Sequence, residues 1–280
     1  MINFLKTYLV KDFFPNIREK DIEIIKTQNG LAHPHKKLVF YVFKGQSAQP
    51  DLVIYASRYP QANDILEQSI KNIELNHDFS PKILFKSHYQ DILFVGLEYI
   101  AGQSLDLNNH SHLDLAFDYL VKKYNNNKNN PSKSLSQYYQ AIKEKFLATG
   151  QEVDPNWEKR ISQVSDIKLP TISQHGDFQD NNLFVVEGQL KIVDWDDYGF
   201  IDWPLFDWLT LYLKCVRKKV DTSYLQNKQE EFLRVTGLSK SNQDVLVLFY
   251  ELFNFLRKDK LHNKYERAKY YSNLLKNLKK

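Results

Sequence analysis

Residues 175–197 read HGDFQDNNLFVVEGQLKIVDWDD, and this stretch decides how the rest of the chain is read. Two β-branched and aromatic runs flank the turn dipeptide Glu187-Gly188, so residues 183–193 form a tight β-hairpin. With a three-residue loop over 187–189, Asn182 stands directly opposite Asp194, their Cβ atoms about 5 Å apart. A two-residue loop or a bulge moves that register by one. Either way both oxygen-bearing side chains reach the open end of the hairpin, and Asp177 lies on the loop just before it. An amide oxygen beside a carboxylate, with a second carboxylate nearby, suits a small hard cation such as Mg²⁺ whose remaining positions go to phosphates and water. Phosphoryl transfer uses such a set: the protein positions groups and neutralises charge, while a carboxylate orients the attacking hydroxyl and takes its proton late. Asn182 and Asp194 are therefore candidate metal ligands, and Asp177 is the candidate catalytic base. Asp and Asn also gather in turns by bonding their own backbone. The joint occurrence of H-G-D, the later Asn, the hairpin and an apolar-apolar-Asp segment favours chemistry over a plain loop.

Toward the amino terminus the pattern alternates as strands do. Ile22 to Ile25, Lys37 to Phe43 and Leu52 to Ala56 are short β-branched and aromatic runs, residues 61–76 suit a helix, and Lys82 to Phe85 and Ile92 to Tyr99 resume strand character. That order predicts a mostly antiparallel sheet with one helix packed on it. After Gly102 the spacing turns helical, with Leu113, Ala116, Phe117, Leu120 and Val121 on one face. The polar run NNNKNNPSKSLS over 125–136 reads as a loop between helices. Further helices are expected near 138–148, 156–164, 204–218, 223–235 and 242–258, with a basic one over 262–279. The expected fold class is α+β, with a sheet domain over residues 1–102 and a mainly helical one over 103–280.

Composition removes several alternatives. The nine glycines of the 280 residues never fall in dinucleotide-fingerprint or P-loop spacing, and G-x-S-x-G and H-E-x-x-H are missing. One cysteine excludes an intrachain disulfide framework and a multi-cysteine metal site, and fits a reducing, cytoplasmic compartment. A net charge of +4 is too small to argue for nucleic acid. No segment approaches the roughly 18 apolar residues of a membrane span, and no signal-like run opens the chain. The oligomeric state is not legible.

His175, Gly176, Asp177 and Asn182, with Ile192-Val-Asp-Trp195, resemble the catalytic loop and metal-binding segment of the aminoglycoside phosphotransferase and choline kinase-like family, relatives of protein kinases. The resemblance covers most of the chain and implies a protein kinase-like pair of lobes. It assigns Asp177 as base, Asn182 and Asp194 to Mg²⁺, and ATP or GTP as phosphate donor to a small-molecule hydroxyl acceptor such as a sugar or amino alcohol. It likens residues 97–105 (LEYIAGQSL) to the family's hinge, about 98–104, where backbone groups around Glu98, Tyr99 and Ile100 hold the adenine. Residues 202–207 (DWPLFD) resemble the segment whose last Asp, here Asp207, steadies the loop that carries His175. Glu67 fits the helix Glu that pairs with a phosphate-touching Lys on the third strand. That Lys is missing: Tyr55 occupies its position, and Arg58 is the cation nearby in sequence. The phosphate-covering loop, Thr27 to His33, offers a single Gly.

Other features have plainer readings. His33-x-His35 and His110-x-His112 lack a nearby third ligand and read as surface loops. Trp195, Trp203 and Trp208 fit core positions as well as a pocket for a cationic substrate, and Asp196 and Asp197 could attract such a substrate or simply form a turn. Two rivals stay open: a silent pseudokinase that binds nucleotide or a partner, and an antibiotic kinase. A protein kinase is disfavoured by the short stretch between 194 and 207, and the basic end of the chain disfavours a polycationic acceptor.

Overall fold

The computed structural model describes residues 1–27, 37–148, 155–239 and 242–259. The phosphate-covering loop beyond Thr27, the His33-x-His35 pair and the basic helix expected over 262–279 lie outside these residues. The chain divides into two compact units, Met1–Leu105 with Asn181–Asp196, and Asp106–Asp180 with Asp197–Lys280.

The first unit opens with a helix that the sequence reading did not anticipate, α1 (Ile2–Asp12). Its buried stripe is only Leu5 and Leu9, one turn apart. Strands β1 (Ile22–Thr27), β2 (Leu38–Lys44) and β3 (Leu52–Ala56) follow, then α2 (Asn63–Leu75), β4 (Ile83–Tyr89) and β5 (Ile92–Glu98). They make one antiparallel sheet in the order β1-β2-β3-β5-β4. Strand alternation gives this sheet two buried faces. On one, Phe40, Val42, Leu52, Ile54 and Phe94 pack with Leu5 and Leu9 of α1. On the other, the register Val39↔Tyr55 aligns Val39 and Tyr55 with Ser57 and Lys37, and Leu66 and Ser69 of α2 line a small pocket with Lys37 and Ser57.

Past β5 a short strand β6 (Gln103–Ser104) leads into the second unit. Helix α3 (His110–Asn127) starts where Asn109 Oδ1 accepts the Ser111 and His112 amides at 3.0 and 3.4 Å. After it come β7 (Ser132–Ser134), α4 (Leu135–Ala148), α5 (Pro155–Ser162) and β8 (Lys168–Pro170), the two strands pairing with each other. His110 and His112 stand in the first turn of α3 and not in a loop: His110 stacks on Tyr224, and His112 Nδ1 accepts the Asp106 amide.

The hairpin β9 (Leu183–Val186) and β10 (Gln189–Ile192) belongs to the first unit and pairs with β6. Its register, Gln189↔Val186 to Ile192↔Leu183, closes on the two-residue loop. Glu187 and Gly188 both have positive φ, 50° and 75°, a turn whose twist matches the flanking strands. The one-step shift sets Asn182 opposite Val193, whose amide donates to the Asn182 carbonyl at 3.0 Å, and carries Asp194 one residue beyond it.

The chain ends its described course in α6 (Phe206–Arg217), α7 (Thr222–Thr236) and α8 (Gln243–Asp259). All three tryptophans in question are core residues. Trp195 and Trp203 have no exposed surface, Trp203 stacks on Phe253, and Trp208 stacks on Phe232 with centroids 4.5 Å apart. Cys215 is fully buried in α6, and burial above all pushes its thiol up to about 12. No helix among the described residues is long and apolar enough to cross a membrane.

Gly96, in central strand β5, has the Phe85 ring where a Cβ would stand, with the nearest ring carbon only 2.1 Å away. Gly96→Ala is therefore expected to destabilise the protein by about 1–3 kcal/mol through overpacking. Combined with Phe85→Leu it should cost less than the two single changes added together. Urea unfolding midpoints check this, and strict additivity would show that the ring does not constrain the strand.

Candidate active site

In the second unit the H-G-D loop hangs from one buried carboxylate. Asp207 lies in the first turn of α6 with no exposed surface, and its own amide donates to Gln174 Oε1 at 3.2 Å. Asp207 Oδ2 accepts the His175 amide at 2.6 Å and Oδ1 the Gly176 amide at 3.0 Å. Two successive main-chain donors on one carboxylate leave the loop little freedom. The Asp177 amide then donates to His175 Nδ1 at 3.2 Å, and Gln179 Nε2 donates to Asp177 Oδ1 at 3.0 Å. Gly176 has φ +86°, and a Cβ there would stand 2.9 Å from Asp197 Cβ, so the middle letter of the motif is fixed by conformation and space together.

Opposite charge for Asp207 comes from Lys123 of α3, at 3.8 Å. Burial pulls this ammonium below the usual lysine range, against the attraction of Asp207. The Tyr119 and Tyr198 rings stand 5.8 and 5.3 Å from it, and Tyr119 stacks on Phe178 of the loop.

The first unit holds Asn182 and Asp194. Asn182 is 6% exposed. Asp194 sits in the left-handed region, φ 64°, which Asp tolerates better than most residues. The segment it belongs to is tied to α2: Asn72 Nδ2 donates to the Trp195 carbonyl at 2.9 Å, and the Ser69 hydroxyl donates to Asp196 Oδ1 at 2.6 Å. Between the two carboxylates lies Lys37, the residue just before β2. Its Nζ donates to Asp194 Oδ1 at 2.9 Å and to Asp196 Oδ1 at 2.6 Å, and stands 4.2 Å from the Tyr55 ring centroid. Burial draws the Lys37 ammonium down, but Asp194 and Asp196 together outweigh it and hold it well above the ordinary range. Tyr55 is pushed up to about 12, chiefly by burial and against the pull of Lys37.

These positions bear on each residue singled out in the sequence. Glu67 is exposed on α2 and has no ion-pair partner among the described residues; Ser69 and Asn72 carry the tie from that helix. Arg58 lies beyond the end of β3 and lines the small pocket that Lys37, Ser57, Ser69 and Asp196 share. Glu98 ends β5, bonding both ways with the Lys82 backbone, while Tyr99 and Ile100 leave their main-chain groups unpaired among the described residues. Asp196 spends its carboxylate on Lys37 and Ser69, whereas the backbone of Asp197 backs Gly176. Lys37, Ser69, Asn72 and Lys123 were not singled out in the sequence. Three of them left a signal: Ser69, Asn72 and Lys123 are polar residues on buried helix faces, where a polar group needs a partner.

Asp207→Asn presents an amide N–H to one of the loop amides and leaves Lys123 uncompensated. It is expected to cost about 3 kcal/mol or more, the scale of breaking a buried charge pair. Adding Lys123→Met should recover part of the loss. Denaturant unfolding of the two single variants and the double variant measures both, and a neutral Asp207→Asn would show that the carboxylate does not hold the loop.

No protein-family model matches the sequence, and no curated protein matches it. Solved structures do. A macrolide 2′-phosphotransferase from Brachybacterium faecium aligns with TM-score 0.59 at 10% identity, over 95% of this chain and 99% of that one. An aminoglycoside phosphotransferase from Streptomyces rimosus in complex with ADP and streptomycin gives 0.56 at 15% identity, over 91% and 97%. Choline kinase from Cryptosporidium parvum gives 0.54 at 13% identity, over 92% and 87%. At such identities the likeness establishes architecture: the chain has the two-lobed, kinase-like α+β fold of these phosphotransferases.

Proposed function

We propose that the protein is a small-molecule kinase that moves the γ-phosphoryl group of ATP or GTP to a hydroxyl. The observation that carries this reading is the pair of hydrogen bonds from the His175 and Gly176 amides to buried Asp207, which set Asp177 at a defined point directly after them. A loop held so firmly for a turn alone has no evident purpose, whereas a base must be positioned to within a fraction of an ångström. The fold shared with phosphotransferases, one of them holding ADP, supports the same conclusion.

In this reading Asp177 accepts a hydrogen bond from the acceptor hydroxyl and aims its lone pair at the γ-phosphorus. The new P–O bond forms as the bond to the bridging oxygen breaks, the hydroxyl proton passes to Asp177, and the nucleoside diphosphate leaves. The residues present fit a hard divalent cation, because Asn182 and Asp194 offer oxygen donors and Asp194 already draws an ammonium to 2.9 Å. Mg²⁺ bound there would neutralise phosphate charge. The main-chain groups of Tyr99 and Ile100, unpaired among the described residues, suit an adenine edge. A sugar or an amino alcohol is the favoured acceptor, since the stretch 258–280 is rich in Lys and repels a polycation. One observation favours a catalytically weak nucleotide- or partner-binding module instead: Tyr55 stands where a phosphate-touching Lys is expected.

Purified protein with Mg·ATP or Mg·GTP, assayed for diphosphate release against a panel of sugars, amino alcohols, nucleosides and antibiotics, separates these readings. Acceptor-dependent release supports the kinase. Thermal stabilisation by nucleotide with no turnover on any acceptor supports the binding module. Asp177→Asn should lower kcat by about a hundredfold or more with nucleotide KM nearly unchanged, and equal turnover in that variant would remove Asp177 from the mechanism.

A further inference from the structure

We propose that Lys37, entering β2, is the cation that receives the nucleotide phosphates in this chain, with Tyr55 as the floor beneath it; the proposal rests on the kinase reading. The sheet register makes the exchange possible. Val39 pairs with Tyr55 and Leu38 with Ala56, so Lys37 faces Ser57 and lies diagonal to Tyr55 on the same face. Diagonal cross-strand neighbours are within reach of a long side chain. The Lys37 stem is accordingly buried, its side chain 12% exposed, and the ammonium is delivered over the Tyr55 ring at 4.2 Å. A lysine at position 55 itself would start from the neighbouring strand and reach the same space.

Three further features fit an ammonium poised for a polyanion. Its two partners, Asp194 and Asp196, are 46% and 39% exposed on their side chains, so the charge cluster opens toward solvent. The ammonium has three donors, enough to keep Asp196 and still offer one to a phosphate oxygen. Asp196 in turn is held by Ser69 of α2. The link from helix to lysine therefore runs Ser69, Asp196, Lys37, which explains why Glu67 stands exposed with no ion-pair partner among the described residues.

Calorimetric titration of Lys37→Met, Lys37→Arg and Arg58→Ala with Mg·ATP, and separately with adenosine, tests the proposal. Adenosine carries the base and sugar without phosphate and so reads out any general damage to the site. Lys37→Met is expected to weaken Mg·ATP at least tenfold while adenosine binds as to the wild type, and Lys37→Arg, which keeps the charge, to stay within a few-fold. Equal loss for ATP and adenosine, or equal loss in the Met and Arg variants, would make Lys37 structural and overturn the proposal. A loss confined to Arg58→Ala would overturn it as well and give the role to Arg58. Either result leaves the kinase reading standing, because wild-type binding and turnover remain. Wild-type protein that binds neither ATP nor GTP would end both.

Discussion

A carboxylate with no access to water must find all its partners inside the protein, and that requirement shapes the second unit around Asp207. Its two oxygens are occupied by consecutive amides of the H-G-D loop, and its charge is answered by Lys123. Because Asp207 belongs to the first turn of α6, the loop inherits the position of a helix whose buried start is packed by rings, Phe206 against Tyr250 and Trp208 against Phe232. Positions on a packed helix are far more reproducible than those on a free loop. The aromatic content of this unit thus serves a polar end: stacked rings immobilise α6, α6 immobilises Asp207, and Asp207 sets the backbone just before Asp177.

The first unit solves a different problem, that of keeping like charges together. Asp194 and Asp196 are two residues apart, and a cation between them relieves their repulsion. Lys37 supplies it from the position just before β2, so the cluster depends on β2 and β3 keeping their register. A slip of one residue would turn Lys37 to the opposite face, into Phe40, Leu52 and the leucines of α1. That alternative carries a buried unpaired charge, which makes the observed register strongly preferred.

The five-strand pattern, the helix between the third and fourth strands, and the helical second half were all legible, because a sheet buried on two faces and amphipathic helices write period-specific apolar patterns. Helix α1 was not legible, since only Leu5 and Leu9 are fully buried and its β-branched and aromatic residues carry no strong periodicity. The hairpin was readable but its loop length was not: Glu187 in a left-handed conformation is unusual, and the two-residue turn depends on it. The letters of the H-G-D loop, Asn182 and Asp194 stood out from their linear spacing. Lys37 did not, because its relation to Tyr55 is created by strand pairing across a connection of unpredictable length. Ser69 and Asn72 could have been noticed as polar interruptions of an apolar helix face, but their partners lie more than a hundred residues away.

The single thiol gives the second unit a built-in gauge. Cys215 lies two turns after Asp207 on α6, fully buried, with its acidity suppressed. A thiol reagent modifies the thiolate, so it must wait until the helix opens and the sulfur meets water. With no other cysteine in the chain to compete, the labelling rate under native conditions reports the opening that exposes Cys215, without mutation. Anything that steadies the helix, such as ligand captured beside the loop it supports, should register as slower labelling.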